Sequence, residues 1–390
     1  MAGLVEWCLY VCYKYGRFTG VINFEYDMKA RRARATKRTT VWAAVSHFTM
    51  FLMLLLQILK RQSIGSMWAG ANSMTAYVFM VIAIVRICCV FLALVSRWCH
   101  RRRFMELFTE YMNLSLLHPE ILQYCRRSIV NKFFAALMAE TLQMVVVFLV
   151  LRRRLTIVGA VGVWSMMVLT AIINVIITQF FIALAHVRGR CSLLNKELRA
   201  VVNEVQSLVP NRKGVYMIRC CRLADRLEEI AQAQSELHAL TEKLAETYQV
   251  QILCMILTYY MTVVGNVYLL FSINKYQAFA DLLNIYIGGL GVAFLVFYHL
   301  DSWLNGLNVM YLLDAHAEMI RLLQQRTTFQ PGLDQRLETV FENFTLNLAR
   351  NPFKLRVFGM FEMDYASLFA LGGSMLTHSI LLIQYDLQNF

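Results

Sequence analysis

Seven stretches of about twenty residues, almost free of charge, run through this chain of 390 residues near 40–59, 76–96, 133–151, 158–184, 250–271, 283–304 and 364–385. Each is long enough to cross a hydrocarbon core of about 30 Å as a helix rising about 1.5 Å per residue. Lipid offers no hydrogen bonds, so a spanning backbone must satisfy its own polar groups, and helices do this within one segment. Composition excludes the alternative of one soluble domain. With 58% hydrophobic and 16% charged residues, too little polar sequence remains to coat such a domain. The expected fold class is an all-α membrane protein with seven transmembrane helices.

Basic residues orient the bundle, because Lys and Arg stay cytoplasmic when short loops are threaded through a membrane. The segment before the first span holds eight, and the second, fourth and sixth loops hold seven, ten and six. The first, third and fifth loops hold two, three and one. The amino terminus is therefore expected inside and the carboxyl terminus outside. Arg152, Arg153 and Arg154 resist this pattern, since they fall in the short third outer loop; long Arg stems that snorkel to headgroups reconcile them with it. The net charge of +13 reflects these membrane-edge clusters. No aromatic-basic module or zinc-finger spacing accompanies it, so nucleic acid is not an expected partner, whereas the lipid bilayer is.

The predicted outer loops contain none of the ten cysteines, so no extracellular disulfides are expected. Cys8 and Cys12, or Cys99 beside His100, lack the second ligand pair a zinc site needs, and neither a metal nor another cofactor is expected. The apolar residues 1–12 lack a basic flank and a small-residue cleavage site, and are not read as a signal peptide. Histidines are scattered, which speaks against a membrane enzyme. His299 and Asp301 form the nearest approach to a cluster, and a capping or interfacial role suits them better.

The chain divides as a cytoplasmic segment 1–39, spans one to four over 40–184, a cytoplasmic helical loop 185–249, spans five and six over 250–304, a second helical segment 305–363, and the last span with a short outer tail over 364–390. Leu223, Leu227, Ile230, Leu237, Leu240, Leu244 and Tyr248 recur at helical spacing without Pro or Gly and run straight into the fifth span. One long helix that continues well below the membrane is predicted. After the sixth span Leu312, Leu313, Ile320, Leu322 and Leu323 repeat the pattern. A further helix is predicted over 333–348, bounded by Pro331-Gly332 and Asn351-Pro352. These amphipathic helices either pack on one another or form a subunit interface.

The last span carries Thr377-His378, five residues from Ser379 to Ile383, then Gln384-Tyr385. This resembles the signature of the insect gustatory receptor family, Thr-Tyr, five hydrophobic residues, Gln-Phe, with His378 and Tyr385 as departures. Gly359, Phe361, Asp364 and Leu368 resemble the family's lead-in to that helix. The resemblance implies a fold similar to insect odorant receptors: tetrameric ligand-gated cation channels with one central pore. It implies that the cytoplasmic ends of the fourth to seventh helices anchor the subunits, that the last helix lines the pore, and that a small tastant binds in the outer half of each bundle. It also implies a plasma membrane location in sensory neurons, with bitter tastants the default ligand class. Homotetramers and heteromers with related subunits both remain open.

Independently of the resemblance, Ser374, Thr377, Leu381, Gln384 and Gln388 share one face at helical spacing. Around a symmetry axis Leu381 would form a hydrophobic constriction and Gln384 would offer oxygens to a cation. The alternative is that Thr377 and Gln384 hydrogen-bond to neighbouring helices. Tyr385 would add polarity at the narrowest point. His378, with an unperturbed pKa near 6.5, is either a pH-sensitive group or a neutral ring bonded to a neighbour. Arg86 and Glu140 lie at comparable depth in the second and third spans and are expected to pair, with ligand contact as a second role. Tyr77, Gln143, Trp164, Asn266, Tyr268 and Tyr286 are candidates for the pocket wall, each also readable as packing. A G-protein-coupled receptor is the main alternative. It predicts an outside amino terminus and an Asp/Glu-Arg-Tyr motif, neither of which this sequence supports.

Overall fold

Helix boundaries follow the apolar runs closely. The computed structural model describes residues 2–27, 29–59, 73–151, 157–208, 213–276, 285–325 and 334–389. The helices are α1 (Ala2–Phe18), α2 (Lys37–Leu59), α3 (Ser73–Cys99), α4 (Arg101–Leu117), α5 (Ile121–Leu151), α6 (Ile157–Gln206), α7 (Lys213–Tyr276), α8 (Ile285–Gln324), α9 (Gln335–Arg350) and α10 (Tyr365–Asn389). Seven of these, namely α2, α3, α5, α6, α7, α8 and α10, are long and apolar enough to cross a membrane, one for each predicted span.

Three helices overrun their spans and build a second layer beyond one end of the bundle. The predicted long helix is α7, 64 residues without a break, or about 96 Å at 1.5 Å per residue. Its stripe residues Leu223, Leu227, Ile230, Leu237, Leu244 and Tyr248 are all buried. The fourth span was expected to stop near residue 184; α6 instead continues to Gln206, because no proline interrupts it and its apolar periodicity carries on through Leu194, Leu198, Val201 and Val202, all buried. Gly189 allows α5 and α6 to touch there, since a Cβ on it would lie 2.5 Å from Cys125 Sγ. Helix α8 overruns in the same way to Gln324. Against these extensions α9 lays Leu337, Val340, Phe341, Phe344 and Leu348. Asp334 caps it by accepting from Arg336 N at 3.1 Å, one step after the expected start, and Asn351 ends it where the sequence predicted.

Two helices were not expected. The first 39 residues, read as a cytoplasmic segment without assigned structure, contain α1, whose Val5 and Cys8 pack into a buried cluster with Ile121, Cys125 and Ile129 of α5 and with Phe181 and Ala185 of α6. An apolar face that is too short to span lipid is here buried against protein. The second is α4, in the second loop, which buries Phe104, Leu107 and Tyr111. A short antiparallel pair, β1 (Glu25–Asp27) and β2 (Arg32–Arg34), leads to α2. Its Ala33 N donates to Thr109 Oγ1 of α4 at 3.0 Å. Residues 152–154, whose three arginines opposed the charge pattern, lie outside the described residues.

Candidate functional site

The last helix is set in place by what precedes it. Strands β3 (Arg356–Val357) and β4 (Phe361–Glu362) pair antiparallel. Their turn takes Phe358 and Gly359 through the left-handed region, at φ 52 and 67. That conformation costs a residue with a Cβ about 1–2 kcal/mol and costs glycine almost nothing. Lys354 and Arg356 both reach Glu362 at 3.0 Å and hold its carboxyl below the usual carboxylate range. Asp364 then caps α10 by accepting from Ser367 N at 2.8 Å, which places a negative charge at the positive end of the helix dipole. Leu368 packs beside Gly306 of α8.

One face of α10 is tied to α7. Met375, Ser379 and Asp386 are buried. Tyr260 Oη lies 2.9 Å from Ser374 Oγ and 2.8 Å from His378 Nδ1, so the imidazole that departs from the family's motif is bonded to a neighbouring helix. About two turns further, Asp386 has no exposed surface; it accepts from Tyr268 Oη at 3.0 Å and Tyr276 Oη at 2.8 Å, and pairs with Lys275 Nζ at 3.2 Å. Sequence reasoning missed this clamp. Its signal was Asp386, the one acidic residue of α10, and the lone lysine of the fifth loop.

The opposite face is bare. Thr377, Leu381, Gln384, Tyr385 and Gln388 are exposed, whereas Ser374, expected on the same stripe, is half-buried and bonded to Tyr260 of α7. Thr377 Oγ1 donates to Gly373 O of its own helix at 3.0 Å, and among the described residues Gln384 has no hydrogen bond to a neighbouring helix. At about 100° per residue this stripe lies roughly opposite Met375, Ser379 and Asp386.

The expected ion pair between Arg86 and Glu140 does not form. Glu140 accepts from Tyr15 Oη of α1 at 3.1 Å and from Asn174 Nδ2 at 3.0 Å. Arg86 donates to Thr170 Oγ1 at 3.3 Å and Thr262 Oγ1 at 3.2 Å. The two side chains point into different helix interfaces. The buried pair is instead Lys132 with Asp301, Nζ to Oδ1 2.7 Å, so Asp301 serves as a structural counterion. Of the pocket candidates, Tyr77, Trp164 and Tyr286 are 60%, 56% and 77% exposed and face outward, while Tyr268 is spent on Asp386. Gln143 and Asn266 are half-buried. Among the described residues Asn266 Nδ2 and Arg86 Nε are shielded with no hydrogen-bond partner. Asn266 sits about one turn from Thr262, the hydroxyl to which Arg86 donates.

The sequence profile of the 7tm chemosensory receptors matches residues 9–389. The chain belongs to that family. Among relatives of this chemosensory receptor in Drosophila melanogaster, gustatory receptor 59d is 52% identical over 390 residues and the full length of both chains. Gustatory receptor 36a is 34% identical, covering 98% of each. The insect olfactory receptor OR5 from Machilis hrabei shares the receptor's fold, with a TM-score of 0.65 at 14% identity over 98% of this chain and 99% of that one. OR5 in complex with eugenol superimposes with the same TM-score of 0.65, at 13% identity over 97% and 98%. A chemosensory receptor of this kind is not an enzyme.

Proposed function

We propose that this receptor is a ligand-gated, non-selective cation channel that opens on binding a small tastant. The observation that carries the reading is the bare stripe of α10. A helix apolar enough to span a membrane exposes Thr377, Leu381, Gln384 and Gln388 on one face and clamps the other to α7 through Asp386. Polar side chains facing lipid are costly, whereas the same side chains around a symmetry axis face water. Four copies would ring the path with Leu381, which closes it by dewetting, and with Gln384, whose amide oxygens meet a partly hydrated cation. The extensions of α6, α7 and α8 with α9 would anchor the subunits. Val215, Met217 and Ile218 at the start of α7, all half or more exposed, give that anchor an apolar contact surface. Homotetramers and heteromers with related subunits use it alike.

The basic residues of the second, fourth and sixth loops gather at the end with the extensions, which favours an inside amino terminus in the plasma membrane of a sensory neuron. For the ligand, the free donors of Arg86 and Asn266 suit a mostly apolar molecule that carries an oxygen acceptor. The eugenol complex of OR5 supports this class, and a bitter-type tastant is the assignment we favour. Leu381→Ala and Gln384→Ala, each at equal surface expression, are expected to raise basal current and to alter conductance respectively. Unchanged currents in both would refute the pore.

A further inference from the structure

Beside the extensions runs a polar groove of about 1080 Å³ between α5, α6 and α8. Its wall carries Arg127, Arg188, Arg199 and Arg321 against two carboxylates, Asp314 and Glu318. Both carboxylates are already engaged: Glu318 by Arg199, and Asp314 by Tyr365 Oη, which donates to it at 3.0 Å. Among the described residues Arg127, Arg188 and Arg321 have no carboxylate partner.

Arg188 is the informative one. Only 8% exposed, it donates through Nη2 to Ser128 Oγ at 2.7 Å and stacks over Tyr311, 5.5 Å from the ring centroid. All of these partners are neutral, so a full positive charge has been taken out of water without a counterion. That arrangement is costly unless an anion completes it. Guanidinium forks match phosphate oxygens in pairs, and the exposed Arg127 and Arg321 are free to close on the same group. Arg188 lies about 6 Å along the helix from residue 184, the expected end of the fourth span. The upper lip of the groove is therefore at headgroup depth.

We propose that this groove binds a phosphate-bearing anion, an inositol phosphate group presented either on a lipid or free in solution. The assignment does not rest on the channel reading. The bond from Asp314 to Tyr365 sets the groove one contact from the first residue of α10, so an occupant touches the root of the last helix.

The test uses the full chain in phosphatidylcholine nanodiscs. Soluble inositol 1,4,5-trisphosphate is titrated in one arm. In the other, nanodiscs containing phosphatidylinositol 4,5-bisphosphate are compared with nanodiscs matched in charge by phosphatidylserine. Saturable binding in either arm is expected, weakened about tenfold or more in R127Q/R321Q, as loss of two charge-assisted contacts implies. Both substituted side chains are exposed, so the unfolding midpoint should be unchanged. Binding in the lipid arm alone assigns a membrane headgroup, and binding in both assigns the phosphate group itself. Absence of saturable binding in both arms, or equal affinity in the double variant, would overturn the proposal.

Discussion

Replacing Lys132 with methionine isolates the energetics of the bundle's buried ion pair. Lys132 is 1% exposed and its ammonium is 2.7 Å from Asp301 Oδ1, whose side chain is 12% exposed. Methionine fills nearly the same volume and keeps contact with Phe181, but it leaves a shielded carboxylate alone. Breaking such a pair costs about 3–5 kcal/mol. K132M should therefore lose about 3–5 kcal/mol. The companion K132M/D301L, with both charges gone, should return close to the parent. Unfolding of purified receptor by SDS in mixed micelles, followed by circular dichroism, reads all three. A K132M loss under about 0.5 kcal/mol, within the range of ordinary surface changes, would refute the reasoning.

Three further outcomes follow from other contacts. Asp386→Ala removes the acceptor shared by Tyr268, Lys275 and Tyr276; it should lower the thermal midpoint and raise basal current more than Lys275→Met, and equal effects would refute a clamp centred on Asp386. Gly189→Ala would push a methyl to 2.5 Å from Cys125 Sγ and should cost about 1–3 kcal/mol by overpacking, partly recovered by adding Cys125→Ala; a neutral result would refute the close approach of α5 and α6. At Gly359 an added Cβ meets no atom within 4 Å, so the loss of about 1–2 kcal/mol expected for Gly359→Ala in the same SDS titration comes from the backbone alone, and a stable variant would place the turn outside the left-handed region.

Axial features of this receptor were legible in its sequence, and azimuthal ones were not. Length and hydropathy place every span, and the stripe from Leu223 to Tyr248 predicts α7 because periodicity records which residues share a face. Pro331-Gly332 and Asn351-Pro352 bracket α9 because breaker residues act locally. By contrast, which neighbour a face meets depends on how seven helices rotate against one another. Arg86 and Glu140 were matched by depth, yet they face Thr262 and Asn174. Tyr77, Trp164 and Tyr286 looked like pocket walls by type, yet they turn outward. The bare stripe of α10 lay on the border between these cases: spacing marked its residues, and only packing established which side Asp386 holds.

The unbroken course of α7 limits how chains of this architecture can diverge in length. A single residue inserted between Leu223 and Tyr248 would turn everything beyond it by about 100° and shift it by about 1.5 Å, carrying Tyr260, Tyr268 and Lys275 away from α10 together. Seven inserted residues, close to two whole turns, would restore the rotation but move these side chains about 10 Å along the axis. Neither change keeps both ends of the helix in register with their partners. Insertions and deletions should therefore collect in the connections between helices, while α7 keeps a constant count of residues from Leu223 to Tyr276.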